Sequence, residues 1–158
     1  MNPHLPTGVV PDLAEGGSLP GAWIRAWSAD PSRVTLSTLD GERVSAEELE
    51  ERSGRAAQTY AAAGLGPGDR VLLSAGTSVE LVVAYVGALR AGLTVVPANA
   101  AYSPSELATL AAAAGPALVV LDDPSRLDSP QCPVTTPALD GLIANRFFQE
   151  PPKRVITA

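Results

Sequence analysis

Several residue types that often carry chemistry are scarce in this chain of 158 residues. It contains one cysteine, one histidine and one lysine, and aromatic residues make up 4% of it. The single cysteine, Cys132, excludes an internal disulfide framework and fits a reducing compartment, so we expect a cytoplasmic protein. His4 has no evident metal-ligating or acid–base partner near it in the sequence, and Cys132 has prolines on both sides. We therefore predict that neither residue is catalytic.

Two further absences limit the class of protein. The net charge is −6 and the arginines are scattered, so no basic patch indicates nucleic acid binding. No apolar run approaches the roughly 18 residues of a membrane-spanning helix, and the N-terminus lacks the pattern of a secretory signal. The hydrophobic content of 46% is enough for a core, and the length suits one domain or less.

Strand and helix patterns alternate through the middle of the chain. The predicted elements are the strand Val71–Ser74, the helix Val79–Arg90, the strand Thr94–Pro97, a helix from Ser103 through Ala114, and the strand Leu118–Leu121. Parallel strands need crossovers of about a dozen residues, and both helices have that length. The order predicts an α/β fold, a partial doubly wound layer with a parallel sheet built from consecutive βαβ units and right-handed crossovers.

A β-hairpin and two helices are expected upstream of this unit. Asp40-Gly41 between β-prone runs predicts a hairpin with a two-residue turn, to which Val34–Leu39 and Glu42–Ser45 contribute the strands. Ser45 and Glu48 have the spacing of a capping box, which opens a helix running to about Ala63.

The first of these helices begins at Ser18, whose hydroxyl can cap it. Trp23 and Trp27 are four residues apart and share one face of the helix. We expect them to anchor the helix on the domain rather than to line an acyl pocket.

Four polar features are candidate functional sites: the acidic cluster Glu47, Glu48, Glu50 and Glu51, the loops Gly64–Gly68 and Ser74–Ser78, and the pair Asp122-Asp123. The acids open a helix, where negative charge complements the dipole, which we favour over a catalytic or metal-binding role. Gly64–Gly68 follows a helix and precedes a strand, the reverse of a phosphate-binding loop, so we predict a connector. Ser74–Ser78 has the topology of an anion-binding loop but no lysine, which favours a helix cap by Thr77 or Ser78 over a ligand contact. Asp122-Asp123 stands before a proline, which favours a turn over a metal site.

The stretch GLGPGDRVLLSAGTSVELVVAYVGALRAGLTVVPANAAYSPSEL, residues 64–107, resembles the N-terminal region of AMP-forming acyl-CoA synthetases. The matching features are a Gly-Leu-x-Pro-Gly-Asp-Arg-Val turn and strand, a helix ending in Ala-Gly, a Val-Val-Pro strand and a Ser-Glu-Leu helix start. The resemblance runs from about Val44 to Leu121, roughly half of the chain. These motifs belong to the scaffold and say little about the substrate.

The resemblance implies a ligase that uses ATP, Mg²⁺ and coenzyme A to convert a carboxylate into an acyl-adenylate and then an acyl-CoA. In that family a Ser/Thr/Gly-rich loop ending in Pro-Lys binds the triphosphate, and this sequence contains no such loop. The ribose-binding Asp, the downstream Arg and the C-terminal Lys also lack counterparts. We therefore assign no catalytic, cofactor-binding or metal-binding residue, and we expect a fragment of a fatty-acid or carboxylate–CoA ligase that is inactive alone.

Two alternatives stay open. The chain could be half of a split ligase completed in trans, or a non-catalytic interaction module on the same scaffold. A small response-regulator-like domain is disfavoured, because its acidic pocket would need a lysine partner and the only lysine is Lys153. The expected partner is the remainder of a ligase or a second copy, which would cover an exposed apolar face.

The chain divides into three predicted segments. Residues 1–17 are expected to form a flexible arm, residues 18–144 an incomplete N-terminal subdomain, and residues 145–158 an off-pattern tail. The tail contains both phenylalanines and the only lysine of the chain. Prolines between Pro124 and the tail predict a loop, with a short turn at Ala138–Ile143.

Overall fold

A four-stranded parallel sheet lies at the centre of the computed structural model, which describes residues 18–128, 130–139 and 142. In chain order the elements are α1 (Leu19–Ala29), β1 (Val34–Ser37), β2 (Arg43–Ser45), α2 (Ala46–Ala62), β3 (Arg70–Ser74), α3 (Val79–Arg90), β4 (Thr94–Pro97), α4 (Pro104–Ala114), β5 (Leu118–Leu121), a 3-10 turn (Pro124–Arg126) and β6 (Val134–Thr135). The sheet order is β4-β3-β5-β6, and β1 and β2 form a separate antiparallel hairpin. The predicted α/β fold with a parallel βαβ sheet and a hairpin is confirmed.

The two central strands bury side chains on both faces of the sheet, as expected where helices cover both sides. Val71 and Leu73 of β3 pack with Tyr60 of α2 and Ala84 of α3. On the opposite face, Leu72, Val119 and Leu121 pack with α4 through the fully buried Leu107. The subdomain is therefore a three-layer α/β/α arrangement.

The prediction of a loop after Pro124 was wrong in one respect, because β6 extends the sheet there. Val119 and Val120 pair with Val134 and Thr135 in a parallel register. The amide of Val119 also donates to the carbonyl of Pro133 at 3.0 Å. A strand of two residues between prolines carries no periodicity, so the sequence could not indicate it. The expected turn at 138–143 lies only partly within the described residues, while the arm 1–17 with His4 and the tail 145–158 lie outside them.

The hairpin turn differs from the predicted two-residue turn. The amide of Thr38 donates to the carbonyl of Glu42 at 3.0 Å, and the amide of Gly41 donates to the carbonyl of Thr38 at 3.2 Å. Leu39 and Asp40 are thus the central residues of a turn, and Gly41 follows with a φ of +99°, which favours glycine. This is a three-residue connection ending in a glycine bulge, the next most common hairpin type.

Serine caps open the helices as predicted, although one capping box is incomplete. Ser18 and Ser45 accept hydrogen bonds from Gly21 and Glu48 amides at 3.2 Å and 3.1 Å. The carboxylate of Glu48 lies 3.4 Å from Arg52 instead of closing the box. The complete box is at α4, where Ser103 and Glu106 exchange both bonds.

The two tryptophans of α1 stack on each other, with ring centroids 6.3 Å apart. Trp27 is buried with Val44, Leu49 and Val79, and Trp23 packs against the same cluster. The pair thus fixes α1 to the hairpin, α2 and α3, which agrees with the expected anchor.

The sequence of α3 is apolar nearly all round, which predicts burial between the sheet and another layer, and this prediction is only partly correct. Ala84, Gly87 and Ala88 are buried, whereas Leu81 and Val82 are half-buried and Tyr85 is 38% exposed. The reason is that α3 covers β3 and β4, and β4 is an edge strand with no further element beyond it among the described residues. Within those residues, no helix combines the length and apolar character of a membrane span.

Candidate functional site

The topology places a crevice between β3 and β5 at their carboxyl ends. From β3 the chain crosses over to β4 on one side, and from β5 it continues to β6 on the other. In open α/β sheets, ligands bind at such a switch point. The loops that meet there are the predicted candidate Ser74–Ser78, the loop after β4 and the turn that begins with Asp122-Asp123.

The side chain of Arg126 fills this crevice. Its guanidinium donates to the carbonyl of Ser74 at 2.9 Å, to the Ser74 hydroxyl at 3.3 Å and to the carbonyl of Tyr102 at 3.3 Å. It also pairs with Asp122 at 2.9 Å and is only 17% exposed. One arginine therefore connects the three loops at the carboxyl edge.

Asp122 joins this network from the opposite side. One of its oxygens pairs with Arg126, and the other accepts the amide of Gly76 at 3.2 Å. Partial desolvation opposes ionisation, but the hydrogen bonds from Arg126 and Gly76 outweigh it and lower the pKa of Asp122 below its usual value. The Gly76 amide, which an anionic ligand could have used, is thus occupied by the chain's own carboxylate.

Asp123 has a purely local role in the turn. Its carboxylate accepts from the amide of Ser125 at 2.9 Å and from the Ser125 hydroxyl at 2.7 Å, which lowers the pKa of Asp123. Asp123 therefore has the predicted role of a turn former, whereas Asp122 connects Arg126 to the loop Ser74–Ser78, which was not predicted. Their carboxylates are engaged and a guanidinium lies beside them, so this edge does not fit Mg²⁺. Among the described residues no group of three His, Cys, Asp or Glu side chains could hold a metal ion.

The loop Ser74–Ser78 supplies a helix cap. The hydroxyl of Ser78 accepts from the amide of Leu81 at 3.1 Å, so of the two predicted caps, Thr77 and Ser78, it is Ser78 that caps α3. Ser74 is buried and donates to the carbonyl of Asn99 at 3.0 Å, which links β3 to the loop after β4. The loop thus has a structural role, and its alternative role as a ligand contact stays a prediction without a test.

The remaining candidates have structural partners as well. Gly64–Gly68 is a connector, as predicted. At the end of α2, the amides of Gly64 and Leu65 donate to the carbonyls of Ala61 and Tyr60. Gly68 has a φ of +90° in the turn from Gly66 to Asp69. In the acidic cluster three of the four carboxylates pair with arginines: Glu48 with Arg52, Glu50 with Arg90 and Glu51 with Arg55. Cys132 is half-buried, and desolvation raises the pKa of its thiol, which disfavours the reactive thiolate.

Sequence reasoning did not identify Arg126. The only local signal is its spacing of four residues from Asp122, and Arg126 falls in a stretch expected to be a loop. Its contacts with Ser74 span 52 positions, so no local pattern could reveal them.

Two further open surfaces each include residues of the loop Ser74–Ser78. The acid-rimmed cleft, about 610 Å³, separates the hairpin from the start of α3 and is lined by Leu36–Asp40, Glu42, Thr77–Glu80 and Val82. The apolar depression, about 270 Å³, is lined by Leu73, Ala75, Leu81, Val82, Tyr85, Pro97 and Ala98. The depression lies beside the edge strand β4, on the uncovered side of α3.

Comparisons with known proteins agree with this fold. A medium/long-chain-fatty-acid–CoA/3-oxocholest-4-en-26-oate–CoA ligase of Mycobacterium marinum is 34% identical over 98 residues, which cover 62% of this chain and 16% of that protein. A long-chain-fatty-acid–CoA ligase of Salmonella typhimurium is 46% identical over 69 residues, 42% of this chain and 12% of that protein. The chain therefore spans less than a fifth of the length of these curated relatives.

Among solved structures, the N-terminal subdomain of NpsA from Klebsiella oxytoca superimposes with a TM-score of 0.72 at 24% identity, over 80% of this chain and 32% of that one. The AMP-binding enzyme family matches residues 24–153, more than four fifths of the chain. This range includes residues 145–153, part of the segment expected to be an off-pattern tail, and the division into three segments stays a prediction. The chain belongs to the family of AMP-binding, adenylate-forming enzymes, and its fold is that of part of their N-terminal region.

Proposed function

We propose that this chain is a scaffold portion of a fatty-acid–CoA ligase and contributes no catalytic group of its own. The observation that carries the proposal is the filled crevice at the carboxyl edge. Arg126 and Asp122 occupy the positions at which a doubly wound sheet receives a ligand, and each of their charges is paired within the chain. The role of the subdomain is then architectural.

The proposed reaction joins a carboxylate to ATP, with release of pyrophosphate, and then transfers the acyl group to coenzyme A. It needs positioned donors for the triphosphate and for the charge that develops on the reacting phosphate. No Ser/Thr/Gly-rich loop ending in Pro-Lys occurs in the sequence. The substrate class follows from the relatives named as fatty-acid–CoA ligases, one of which is 46% identical over 69 residues.

The apolar depression is the surface on which we place the remainder of the ligase. Its lining residues are apolar except for the hydroxyl of Tyr85, and β4 beside it has an unpaired edge among the described residues. Burying this surface would stabilise both pieces, because each Å² of apolar surface removed from water contributes roughly 25 cal/mol. A cytoplasmic location is part of the proposal, since the only cysteine, Cys132, forms no disulfide within the chain.

A chimera tests the scaffold role directly. Residues 24–142 replace the corresponding segment of the Mycobacterium marinum ligase, and ATP–pyrophosphate exchange is measured with a long-chain fatty acid. We expect the chimera to retain exchange and the 158-residue chain alone to show none. A matched chimera carrying Tyr85→Lys in the apolar depression should lose activity, whereas Tyr102→Lys, outside the depression, should not. Exchange by the chain alone would overturn the proposal, and so would a folded chimera without activity.

A mixing experiment separates the alternatives. The chain is added to a Mycobacterium marinum ligase that lacks the corresponding segment. Activity restored by mixing would favour a split ligase completed in trans, while activity only in the covalent chimera would favour a fragment. Failure of both, together with a cooperative monomeric unfolding transition of the chain, would favour a non-catalytic interaction module.

A further inference from the structure

The acid-rimmed cleft combines an apolar floor with a rim of one charge. Leu36, Val79 and Val82 contribute apolar surface to it, and Leu39 projects fully exposed from the hairpin at its edge. None of the described lining residues is a lysine or an arginine, and the rim consists of three carboxylates, from Asp40, Glu42 and Glu80. Such a rim repels anions such as ATP and coenzyme A. A complementary ligand is apolar and positively charged.

The rim keeps most of its negative charge. Arg52, which does not line the cleft, approaches Glu80 at 3.3 Å and Glu42 at 3.9 Å, so one cation serves two of the carboxylates. The hydroxyl of Thr38 donates to Asp40 and lowers the pKa of that carboxyl group, which keeps it ionised. Both glutamates are about half exposed and can accept further donors.

One wall of the cleft is the outer edge of strand β1. Consecutive residues, Leu36–Asp40, line the cleft from this side, and the returning arm of the hairpin contributes only Glu42. Ser37 lies opposite Arg43, next to the pair in which the amide of Thr38 donates to the carbonyl of Glu42. Because hydrogen-bonded and non-hydrogen-bonded pairs alternate along an antiparallel ladder, the amide and carbonyl of Ser37 point away from β2. The sheet order places no further strand beside them among the described residues.

This edge lacks the usual protections against pairing with another chain. Natural edge strands are interrupted by lysines, prolines or bulges, or are covered by another element. The register of the hairpin is irregular upstream, between Val34 and Leu36, but the stretch Leu36–Asp40 contains no lysine and no proline. A second copy that paired through the same edge would bring two acidic rims together, which disfavours self-pairing. A basic segment has the opposite charge.

We propose that the acid-rimmed cleft binds an extended segment of a partner protein in which basic and apolar residues alternate. The segment adds as a third strand to β1, and its backbone pairs with the free amide and carbonyl of Ser37. Its apolar side chains contact the floor, and its lysines or arginines meet the carboxylates of the rim. The proposal does not depend on the ligase assignment, because it rests only on the geometry and charge of this cleft.

A synthetic peptide tests the strand pairing in the full chain. The probe alternates valine and lysine, is capped at both ends and is about eight residues long, within the usual length of a strand. Calorimetric titration measures its affinity, and hydrogen exchange locates it. Amides of residues 36–40 should exchange about tenfold more slowly with the peptide bound, whereas those of β3 and β5 should not change. The same peptide with methylated backbone nitrogens cannot donate to β1 and should bind about tenfold more weakly.

A charge reversal identifies the surface. Asp40→Lys should weaken binding of the valine–lysine peptide about tenfold, and it should create affinity for a valine–glutamate peptide, which the unchanged chain should not bind. A gain of binding cannot result from a loss of folding. Asp128→Lys makes the same change of charge at an exposed residue that does not line the cleft, and it should alter neither affinity.

Four results would each overturn the proposal. One is unchanged exchange at 36–40 in the presence of the valine–lysine peptide, and another is equally tight binding of its methylated form. Equal losses of affinity in Asp40→Lys and Asp128→Lys would show attraction to the net charge rather than to this cleft. Protection at 36–40 that rises with the concentration of the chain alone would assign the edge of β1 to a second copy.

Discussion

The two sides of helix α3 differ in how completely they are packed. On the side facing α2, a Cβ added to Gly87 would lie 2.5 Å from the Cβ of Ala56, and Arg90 reaches across to Glu50 and Ser53. On the opposite side, Leu81 and Val82 are half-buried and Tyr85 is 38% exposed beside the apolar depression. Both sides are apolar in sequence, so hydrophobicity alone does not show which one has a partner.

The α2–α3 contact is completed within the described residues, whereas the opposite side of α3 is an open surface. The α2–α3 contact is made by the small residues Gly87 and Ala56 and by a hydrogen bond from the guanidinium of Arg90 to the buried hydroxyl of Ser53. These contacts form only because the two helices approach closely. The open side is lined by aliphatic side chains and by Tyr85. We therefore expect substitutions on the first side to change the free energy of unfolding and those on the second to change association.

Gly87→Val should have the largest effect. The new side chain would meet Ala56 as well as the backbone amide of Ala57 and carbonyl of Ser53, both 3.2 Å from the added Cβ. The helix backbone cannot shift without separating α2 from α3. We therefore expect the free energy of unfolding to fall by about 3 kcal/mol, the upper end of overpacking costs. Urea denaturation measures it. Gly66→Ala, where nothing lies within 4 Å of the added Cβ, is the control and should be nearly neutral. Equal losses in both would show that the α2–α3 contact is not close-packed.

Arg90→Met should come next. The guanidinium donates to the carbonyl of Glu50 at 2.6 Å, to the Ser53 hydroxyl at 2.9 Å and to the Glu50 carboxylate at 3.1 Å, and it is only 16% exposed. Hydrogen bonds to a charged group contribute about 1.5–3 kcal/mol to stability, so we expect the free energy of unfolding to fall by about 2 kcal/mol.

The control for Arg90→Met is Arg55→Met, which also removes an arginine paired with a glutamate of α2. Arg55 is 60% exposed, and its pair with Glu51 lies in solvent. Exposed pairs contribute about 0–1 kcal/mol, so the unfolding curve should hardly move. If the two substitutions cost the same, the bonds of Arg90 across the helix contact do not stabilise the fold.

Tyr60→Phe removes one hydrogen bond from the same contact without changing its shape. Tyr60 is fully buried and donates its hydroxyl to the carbonyl of Ala84 at 3.1 Å. Burial raises the pKa of Tyr60, so the hydroxyl stays protonated and able to donate. We expect a loss of about 1 kcal/mol, the net value of one such bond. Tyr85→Phe makes the same chemical change on the open side and should leave thermal unfolding unaltered; a comparable loss there would contradict the contrast between the two sides.

Much of the fold was predictable because local signals agree with each other. Helices α3 and α4 and strands β4 and β5 begin and end where the sequence predicts, since serine caps, Pro104 and Gly115 mark their ends and the segments between are apolar. The hairpin turn was placed one residue off, because Leu39 and Asp40 can form a turn as readily as Asp40 and Gly41. Strand β6 was not predicted, because its two residues are too few to show a strand pattern and are a strand only through their pairing with β5.

The carboxyl edge was less predictable than the fold. The sequence predicts that Asp122 and Asp123 end a strand and that Thr77 or Ser78 caps a helix, and the structure confirms a strand end and a cap by Ser78. It does not show that Arg126 reaches Ser74 and Tyr102, because those contacts exist only after three loops have been brought together by the sheet. The burial of α3 was overestimated for a similar reason: an apolar helix face needs a neighbour, and the order of the strands determines whether it has one.

Tyr85→Lys should have the smallest effect on unfolding and a clear effect on association. The side chain is 38% exposed, so we expect the free energy of unfolding to change by no more than about 0.5 kcal/mol. If the open side of α3 mediates self-association, a lysine in the apolar depression must be desolvated, and dimer affinity should fall at least about tenfold, which corresponds to 1.4 kcal/mol. Sedimentation velocity over a range of concentrations measures this. Tyr102→Lys is the matched control, because Tyr102 is equally exposed but does not line the depression. An equal loss of association in both variants would show that added charge, rather than this surface, controls it.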